Sequence, residues 1–264
     1  MGIETLTHVG PGTSFVVATL VLLAADELGF RLGRRRPDRE DEFTRSQAVS
    51  LQAATLGLLA LLLGFTFSIA LQRYDARREL VVAEANAIGT AWLRASFLPT
   101  EIQPEMRRLL QDYADLRLRS FSGVIDQDAA ARLERESRHF HDQMWSRVSA
   151  AAVQDTHSEA AALLVQATNA VIDLHTARMA GRRAQVPSLV ILLLGLVAFV
   201  SMMWVGFSHG LGSTRRAGGE VVLVILIASS LAAILDLDRP SRGLVRVSQE
   251  PMRALLEGMR TAPP

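Results

Sequence analysis

The chain has 264 residues and a formal net charge of +1, so its charge gives no reason to expect a nucleic-acid partner. Hydrophobic residues make up 49% of the chain and charged residues 21%, so the two kinds must be segregated along the sequence. Cysteine is absent, which excludes disulfide bonds, thiolate nucleophiles and thiolate metal ligands.

Hydropathy predicts an all-α integral membrane protein with four transmembrane helices. Crossing the roughly 30 Å apolar core of a bilayer takes about 20 mostly apolar residues in a helix. Helices and closed barrels are the spanning structures available, because every backbone polar group in lipid needs a partner. The four apolar stretches comprise residues 14–30, 48–71, 187–207 and 221–237.

The first stretch differs from the others because its apolar run ends early, at Asp26 and Glu27. A cleaved secretory signal has a basic leader, but residues 1–13 contain neither lysine nor arginine. We therefore expect this stretch to be retained as a span.

The second stretch continues without a break into a charged, amphipathic helix. No Gly-Pro pair interrupts residues 48–98, and the part after residue 71 reads QRYDARRELVVAEANAIGTAWLRASFL. This pattern predicts one helix that begins inside the membrane, ends outside it and carries an extramembrane domain.

The extramembrane domain that follows is predicted to be helical. Pro99 and Pro104 end one helix and allow another to begin, and Ser122-Gly123 separates the next pair. Asp126 is the expected N-cap of the helix after that break. Periodic apolar residues predict helices over residues 105–121, 127–153 and 157–185.

The predicted organisation inserts a helical domain between the second and third spans. Its five parts are residues 1–47 (tail, first span and basic loop), 48–98 (second span with its charged extension), 99–185 (helical domain), 186–238 (third and fourth spans) and 239–264 (C-terminal tail).

Arginine counts in the short loops predict the orientation in the cell membrane. The loops after the first and third spans are basic and the N-terminal tail has no arginine, so we expect the N-terminus, the helical domain and the C-terminus outside. Arginines after the second and fourth spans oppose this bias. The loop arginines are Arg31, Arg34, Arg35, Arg36, Arg39, Arg45, Arg215 and Arg216, and the opposing ones are Arg73, Arg77, Arg78, Arg239, Arg242, Arg246 and Arg253.

Two segments carry a resemblance to a known family. They read LLGFTFSIALQRYDARRELVVAEANAIGTAWLRA in and after the second span, and LDLDRPSRGLVRVSQEPMRALL from the end of the fourth. With them the chain resembles the bacterial bestrophin-like membrane proteins, whose function is not established, and is distantly similar to the bestrophin anion channels. All 28 basic residues are arginine, which is typical of a GC-rich, bacterial genome. An arginine within the second span and a Trp-Trp-Glu after Tyr74, both present in bestrophins, are missing.

The resemblance implies an oligomeric ion channel with a narrow hydrophobic neck formed by the second span. It also implies a cytoplasmic helical region, which the arginine counts oppose. The alternative for the apolar face of this span is contact with lipid or with neighbouring helices, and Gly57 and Gly64 favour close helix packing. The pore-lining candidates, spaced as on one helix face, are Leu58, Leu62, Phe65 and Ile69.

A second set of candidates is polar and lies where the spans leave the membrane. These residues would form an ion vestibule in a channel, whereas a structural role, as interfacial anchors or partners of other helices, is the more usual one. The set comprises Tyr74, Asp75, Arg78, Glu84 and Asn86 after the second span, and Asp236, Asp238 and Arg239 at the end of the fourth.

The pattern does not indicate an enzyme. It contains no Ser-His-Asp order, phosphate loop or glycine fingerprint, and the glycine-rich residues 206–219 suggest a flexible loop. The histidines lack the spacing of a metal site, so we predict neither metal nor cofactor. The expected partners are the lipid bilayer and further copies of the chain. The alternative to a channel is a membrane-anchored sensory or scaffolding protein whose helical domain binds a partner.

Overall fold

The computed structural model of the protein describes residues 10–35, 42–121, 127–154, 157–212, 217–239 and 243–261. All regular structure within these ranges is helical, which confirms the predicted all-α class. The helices are α1 (Pro11–Arg34), α2 (Glu42–Arg94), α3 (Gln103–Arg119), α4 (Gln127–Gln154), α5 (Glu159–Arg183), α6 (Ser188–Gly210), α7 (Ala217–Asp238) and α8 (Glu250–Thr261).

The long helix α2 has 53 residues and begins at Glu42, before the predicted start at residue 48. It ends in a 3-10 turn, Ala95–Phe97, and α3 then begins with Pro104 in its first turn. Several features predicted from the sequence lie outside the described residues. They are Arg36, Arg39, Ser122, Gly123, Asp126, Arg215, Arg216 and Arg242.

Three of the described helices are long and apolar enough to cross a membrane. They lie within Glu42–Phe97, Glu159–Gly210 and Gly218–Asp238, and correspond to α2, α6 and α7. Helix α1, whose apolar run ends at Asp26 and Glu27, is not among them. The described residues are therefore all-helical in their regular structure and include three candidate membrane spans.

The fold divides into two compact units. Unit 1 consists of Met1–Arg73 with Gln185–Val245, and unit 2 consists of Tyr74–Ala184 with Arg246–Pro264. The boundary between Arg73 and Tyr74 falls within α2, at the start of its charged half.

In unit 1, α1 and α6 cross in close contact at two glycines of each helix. A Cβ atom at Gly29 or Gly33 would overlap the backbone of α6, and one at Gly206 or Gly210 would overlap the backbone of α1. The helices therefore pack through a reciprocal pair of Gly-x-x-x-Gly segments, as membrane helices often do. The atoms in the way are the carbonyl oxygens of Met203, Phe207, Asp26 and Phe30, respectively.

This crossing uses other glycines than the two in α2 for which the sequence favours close helix packing. Gly57 and Gly64 of α2 have no atom within 4 Å of an added Cβ. Gly206 and Gly210, which the sequence places in a flexible loop, belong to the last turns of α6. Because both Gly-x-x-x-Gly pairs follow long apolar runs, their spacing was the signal for this crossing.

Unit 2 has an apolar core between the charged half of α2 and the helices α3, α4, α5 and α8. The amphipathic helices α3 and α4 each place one apolar face against this core. Core side chains include Ile88, Met106, Leu110, Tyr113, Met144, Leu164, Val171, Met252 and Leu256.

Helix α8 lies in the stretch that the sequence indicates only as a C-terminal tail. Met252, Leu255, Leu256 and Met259 recur at helical spacing and pack against the core of unit 2. Gly89 of α2 permits this approach, because an added Cβ would lie 3.0 Å from Leu255 Cδ1. Helix α8 is therefore part of unit 2.

Candidate functional site

The predicted pore-lining residues form a stripe along one exposed side of α2. The exposed fractions of Leu58, Phe65 and Ile69 are 49%, 61% and 40%, and Leu62 is half-buried. We call these four residues the bulky stripe. Its side chains are available to lipid, to a lumen or to another copy of the chain.

A second side of α2 contacts its own chain. Leu59, Thr66 and Ala70 are buried on this side. Ser201 of α6 donates a hydrogen bond to the carbonyl oxygen of Thr55, with an oxygen-to-oxygen distance of 3.1 Å. The contact of α2 with α6 thus determines which side of α2 faces away from the rest of its own chain.

A third side of α2 carries a stripe of small residues, all of them exposed. At about 100° per residue, this small stripe lies opposite the buried side, and the bulky stripe lies between the two. Small residues let membrane helices approach closely. The small stripe comprises Ser46, Ser50, Ala53, Gly57, Ala60, Gly64 and Ser68.

Among the predicted polar residues, Glu84 stands apart because its side chain is completely buried in unit 2. Arg117 of α3 donates from Nε to Glu84 Oε1 at 2.8 Å, and Arg178 of α5 pairs with Glu84 Oε2. Arg178 also donates from its second terminal nitrogen to Gln249 Oε1 at 3.2 Å. One carboxylate therefore joins α2 to α3 and α5, and through Arg178 to the residue before α8.

The guanidinium groups of this cluster share one aromatic ring. Arg117, Arg178 and Arg182 lie 5.2, 3.9 and 5.0 Å from the centre of the Phe121 ring. Such cation–π contacts stabilise a cation that has lost water. Phe121 thus offsets part of the repulsion among three neighbouring positive charges.

A chain of polar contacts extends the cluster from Glu84. Tyr113 donates its hydroxyl proton to Glu84 Oε1 at 3.3 Å and lies 3.4 Å from His175 Nδ1. His175 Nε2 in turn lies 3.2 Å from Glu134 Oε2. Burial and the nearby negative charge of Glu84 raise the pKa of Tyr113 well above its usual range. Tyr113 is therefore a permanent hydrogen-bond donor in this cluster.

The buried residues Arg117, Arg178, Tyr113, His175 and Gln249 are missing from the sequence prediction. For the two arginines, as for Glu84, the signal is a charge at a position where the apolar period requires a core residue. Glu84 follows Val81 and precedes Ile88 on the buried face of α2, Arg117 follows Leu110 and Tyr113 in α3, and Arg178 follows Val171 and His175 in α5.

The remaining polar residues predicted near the exit of α2 do not enter the cluster. Asp75, Arg78 and Asn86 are exposed, and Tyr74 is half-buried. They lie on the exposed face of α2, as expected for a solvated helix face.

The polar residues at the end of α7 bind the backbone of unit 1. The carboxylate of Asp236 accepts hydrogen bonds from the backbone N–H groups of Leu244 and Val245 at 3.0 Å, and Asp238 Oδ1 accepts one from Val186 at 2.8 Å. A Cβ at Gly243 would overlap the Asp236 carboxylate, so a larger residue there would have to displace it. These residues therefore order the chain where it leaves α7 and where it enters α6.

His141 is a buried neutral base beside the cluster. Its ring lies 4.8 Å from that of His175 and 5.1 Å from that of Tyr113, measured between ring centres. Burial first, and then the nearby His175 and Arg117, lower the pKa of His141 to about 4, and Glu84 and Glu134 oppose this shift only in part.

This low pKa predicts a loss of stability in mild acid. Between pH 6.5 and 4 the unfolded chain protonates His141 while the folded protein does not, so acidification favours unfolding. We expect H141Q to reduce the loss between pH 6.5 and 5 by about 1 to 2 kcal/mol. The check is the melting temperature of the detergent-solubilised protein at each pH. The exposed His139 on the same helix supplies the control, and equal pH profiles for H139Q and H141Q would contradict the prediction.

No group of three or more histidine, aspartate and glutamate residues within the described ranges could hold a metal ion. The arrangement at Glu84 is instead a satisfied ionic core, because its carboxylate oxygens are bound by two guanidinium groups and a phenol. Its ion pairs and hydrogen bonds hold together four segments of unit 2, namely α2, α3, α5 and the residue before α8.

Three of the described helices are long and apolar enough to cross a membrane, which is the pattern of an integral membrane protein. The chain belongs to the Bestrophin-like domain family, whose model matches residues 15–252. Neither a search of curated proteins nor a search of solved structures found a match. The family match covers α2 with its three sides, the Glu84 cluster and the polar residues at the end of α7.

Proposed function

We propose that the protein is an oligomeric ion channel in which α2 of each copy lines a central pore. The observation that carries this proposal is the poor cover of α2 by its own chain. In its most apolar 18-residue stretch 17% of the residues are buried, against 39% in α7. A membrane helix left open in this way has surface available for other copies.

The three sides of α2 support a ring of copies. The buried side contacts α6 of the same chain, and the small stripe on the opposite side suits close packing against a neighbouring copy. The bulky stripe between them then faces the lumen, where Leu58, Phe65 and Ile69 form a hydrophobic neck. A neck of this kind gates by excluding water from the pore.

The proposal takes α1 as a fourth span. With 24 residues it is about 36 Å long, which is enough to cross a bilayer, and it packs against α6 through glycines in unit 1. Residues 99–185 then form a helical domain inserted between the second and third spans. The arginine bias supports an external N-terminus, helical domain and C-terminus in the cell membrane. The proposal assigns no enzymatic reaction and no cofactor.

A membrane-anchored scaffolding or sensory protein is the second candidate. Large apolar side chains in unit 2 favour it, because Leu93, Phe97 and Val153 are 64%, 58% and 78% exposed. Exposed apolar side chains of this size can contact a protein partner. The oligomeric state separates the two functions, since a monomer or simple dimer leaves α2 with no pore to line.

The channel proposal predicts that Phe65 and Phe67 differ sharply in their effect on ionic current. Both side chains are exposed, at 61% and 43%. Because they are two positions apart on a helix, they point in directions about 200° apart. F65A removes a bulky group from the neck and should change the single-channel conductance severalfold in a planar bilayer. F67A, on the other flank of α2, should leave the conductance unchanged.

Thiol labelling supplies a second readout for the same pair. The natural chain has no cysteine, so a charged thiol reagent acts only at an introduced residue. F65C channels should be blocked by the reagent and F67C channels should not. A ring-shaped oligomer that carries no current, or equal responses of the two phenylalanine variants, would overturn the pore proposal.

A further inference from the structure

Unit 1 contains a groove of about 650 Å³ between α1, α6 and α7. Its volume lies within the range of small-molecule sites. The groove lies away from the Gly29–Gly206 crossing, towards the start of α1 and of α6. Most of its wall is apolar, with Val17, Val21, Leu192, Leu196, Phe199 and Leu231 among its lining residues.

The polar residues of the groove are gathered at one end. Ser14 near the start of α1, Gln185 and Ser188 at the start of α6, and Asp238 and Arg239 at the end of α7 line it there. These three helix ends meet because α1 and α6 run in the same direction and α7 runs in the opposite one. An apolar groove with polar residues at one end is complementary to an amphiphile. The apolar tail would lie in the groove and the headgroup at the three helix ends.

The charges at the polar end specify the headgroup further. Arg239 donates a hydrogen bond to Ser14 Oγ at 3.2 Å and also interacts with the nearby carboxylates of Asp236 and Asp238. A guanidinium has five N–H donors, so it can bind a phosphate beside these partners. Asp238 accepts from the backbone of Val186 at 2.8 Å, and a carboxylate has about four acceptor positions. Adjacent positive and negative groups complement a headgroup that carries both a phosphate and an ammonium with N–H donors.

We infer that the groove binds one acyl chain of a phosphatidylethanolamine molecule, with its phosphate on Arg239 and its ammonium on Asp238. The inference is independent of ion conduction. A lipid with a quaternary ammonium lacks the N–H donors for Asp238, and an anionic lipid lacks the cation. The site should therefore prefer phosphatidylethanolamine to phosphatidylcholine and to phosphatidylglycerol with the same acyl chains.

Native mass spectrometry of the full, delipidated chain in detergent tests the inference, with each of the three lipids added in turn. We expect one phosphatidylethanolamine per chain, bound at least about fivefold more tightly than either other lipid. G195W fills the groove, because Gly195 lines it and has open space where a Cβ would lie. This variant should lose the bound lipid. L193W is the control, since Leu193 is an exposed residue of α6 that does not line the groove.

The headgroup assignment has its own test. D238N keeps an oxygen acceptor for Val186 but loses the negative charge, so it should bind phosphatidylethanolamine only as tightly as phosphatidylcholine. Its affinity for phosphatidylcholine should not change. Melting temperatures without lipid establish that G195W and D238N are folded.

Three results would overturn the inference. They are equal binding of the three lipids to the natural chain, retention of lipid by G195W, or a shift in oligomer mass caused by G195W in a protein that binds no lipid. The last result would assign the groove to a second copy of the chain.

Discussion

Replacing Glu84 with alanine should destabilise unit 2 by about 3 to 5 kcal/mol, the usual effect of removing one partner from a buried ion pair. The variant leaves Arg117 and Arg178 buried, at 2% and 4% exposure, without their carboxylate. It also removes the acceptor for the Tyr113 hydroxyl. Typical domains are stable by about 5 to 15 kcal/mol, so this loss is a large share of the total.

Tryptophan fluorescence during thermal melting measures this effect, because Trp92 and Trp145 lie in unit 2. The matched control is E79A, which removes an exposed glutamate from the same helix and should change stability by less than about 0.5 kcal/mol. Equal melting of E84A and E79A would show that the carboxylate does not hold unit 2 together.

A triple variant separates unpaired charge from lost packing. Replacing Glu84 with leucine and both Arg117 and Arg178 with methionine removes every charge of the central pairs while keeping apolar volume. Buried ion pairs replaced in this way often lose little stability. The triple variant should therefore melt at a higher temperature than E84A. A lower melting temperature would assign the role of these residues to their hydrogen bonds with Tyr113 and Gln249.

Replacing Gly206 with valine should force α1 and α6 apart in unit 1. A Cβ at this position overlaps the backbone of Asp26, including its carbonyl oxygen, and backbone atoms cannot move aside as a flexible side chain can. Overpacked cores lose about 1 to 3 kcal/mol, and we expect the upper part of that range or more.

Trp204 lies two residues from Gly206, with its ring 5.1 Å from that of Phe207, so its fluorescence reports this crossing. The measurement uses a chain in which Trp92 and Trp145 are replaced by phenylalanine, which leaves Trp204 as the single tryptophan. The control is G195V on the same helix, where a Cβ meets no atom within 4 Å. Indistinguishable melting of G206V and G195V would contradict the close crossing.

Local patterns in the sequence predict the helical class of this protein and the three helices that are long and apolar enough to cross a membrane. A run of about 20 apolar residues, as in α2, α6 or α7, predicts a helix independently of the rest of the fold. In lipid the backbone polar groups must hydrogen-bond within the segment itself. The charged half of α2 is predictable for a similar reason, since no proline or glycine pair interrupts it. Helix α8 is missed because it has only 12 residues and follows an irregular stretch. Its apolar face forms a stable helix only when it packs against the core of unit 2, and the local sequence does not show that core.

The partners of each side chain were decided by the tertiary structure. Glu84 meets Arg117 and Arg178, which lie 33 and 94 residues further along the chain. A charge in the apolar stripe of one helix indicates burial, but it does not indicate which helix supplies the opposite charge.

The sequence alone determined the longer helices, α1 to α7, because hydropathy and helical periodicity act over a few turns. The tertiary structure decided how those elements pair: which glycines cross, which side of α2 remains open, and which arginines hold Glu84. The physical reason is that close packing and burial of charge depend on groups far apart in sequence, which become neighbours only when the helices pack.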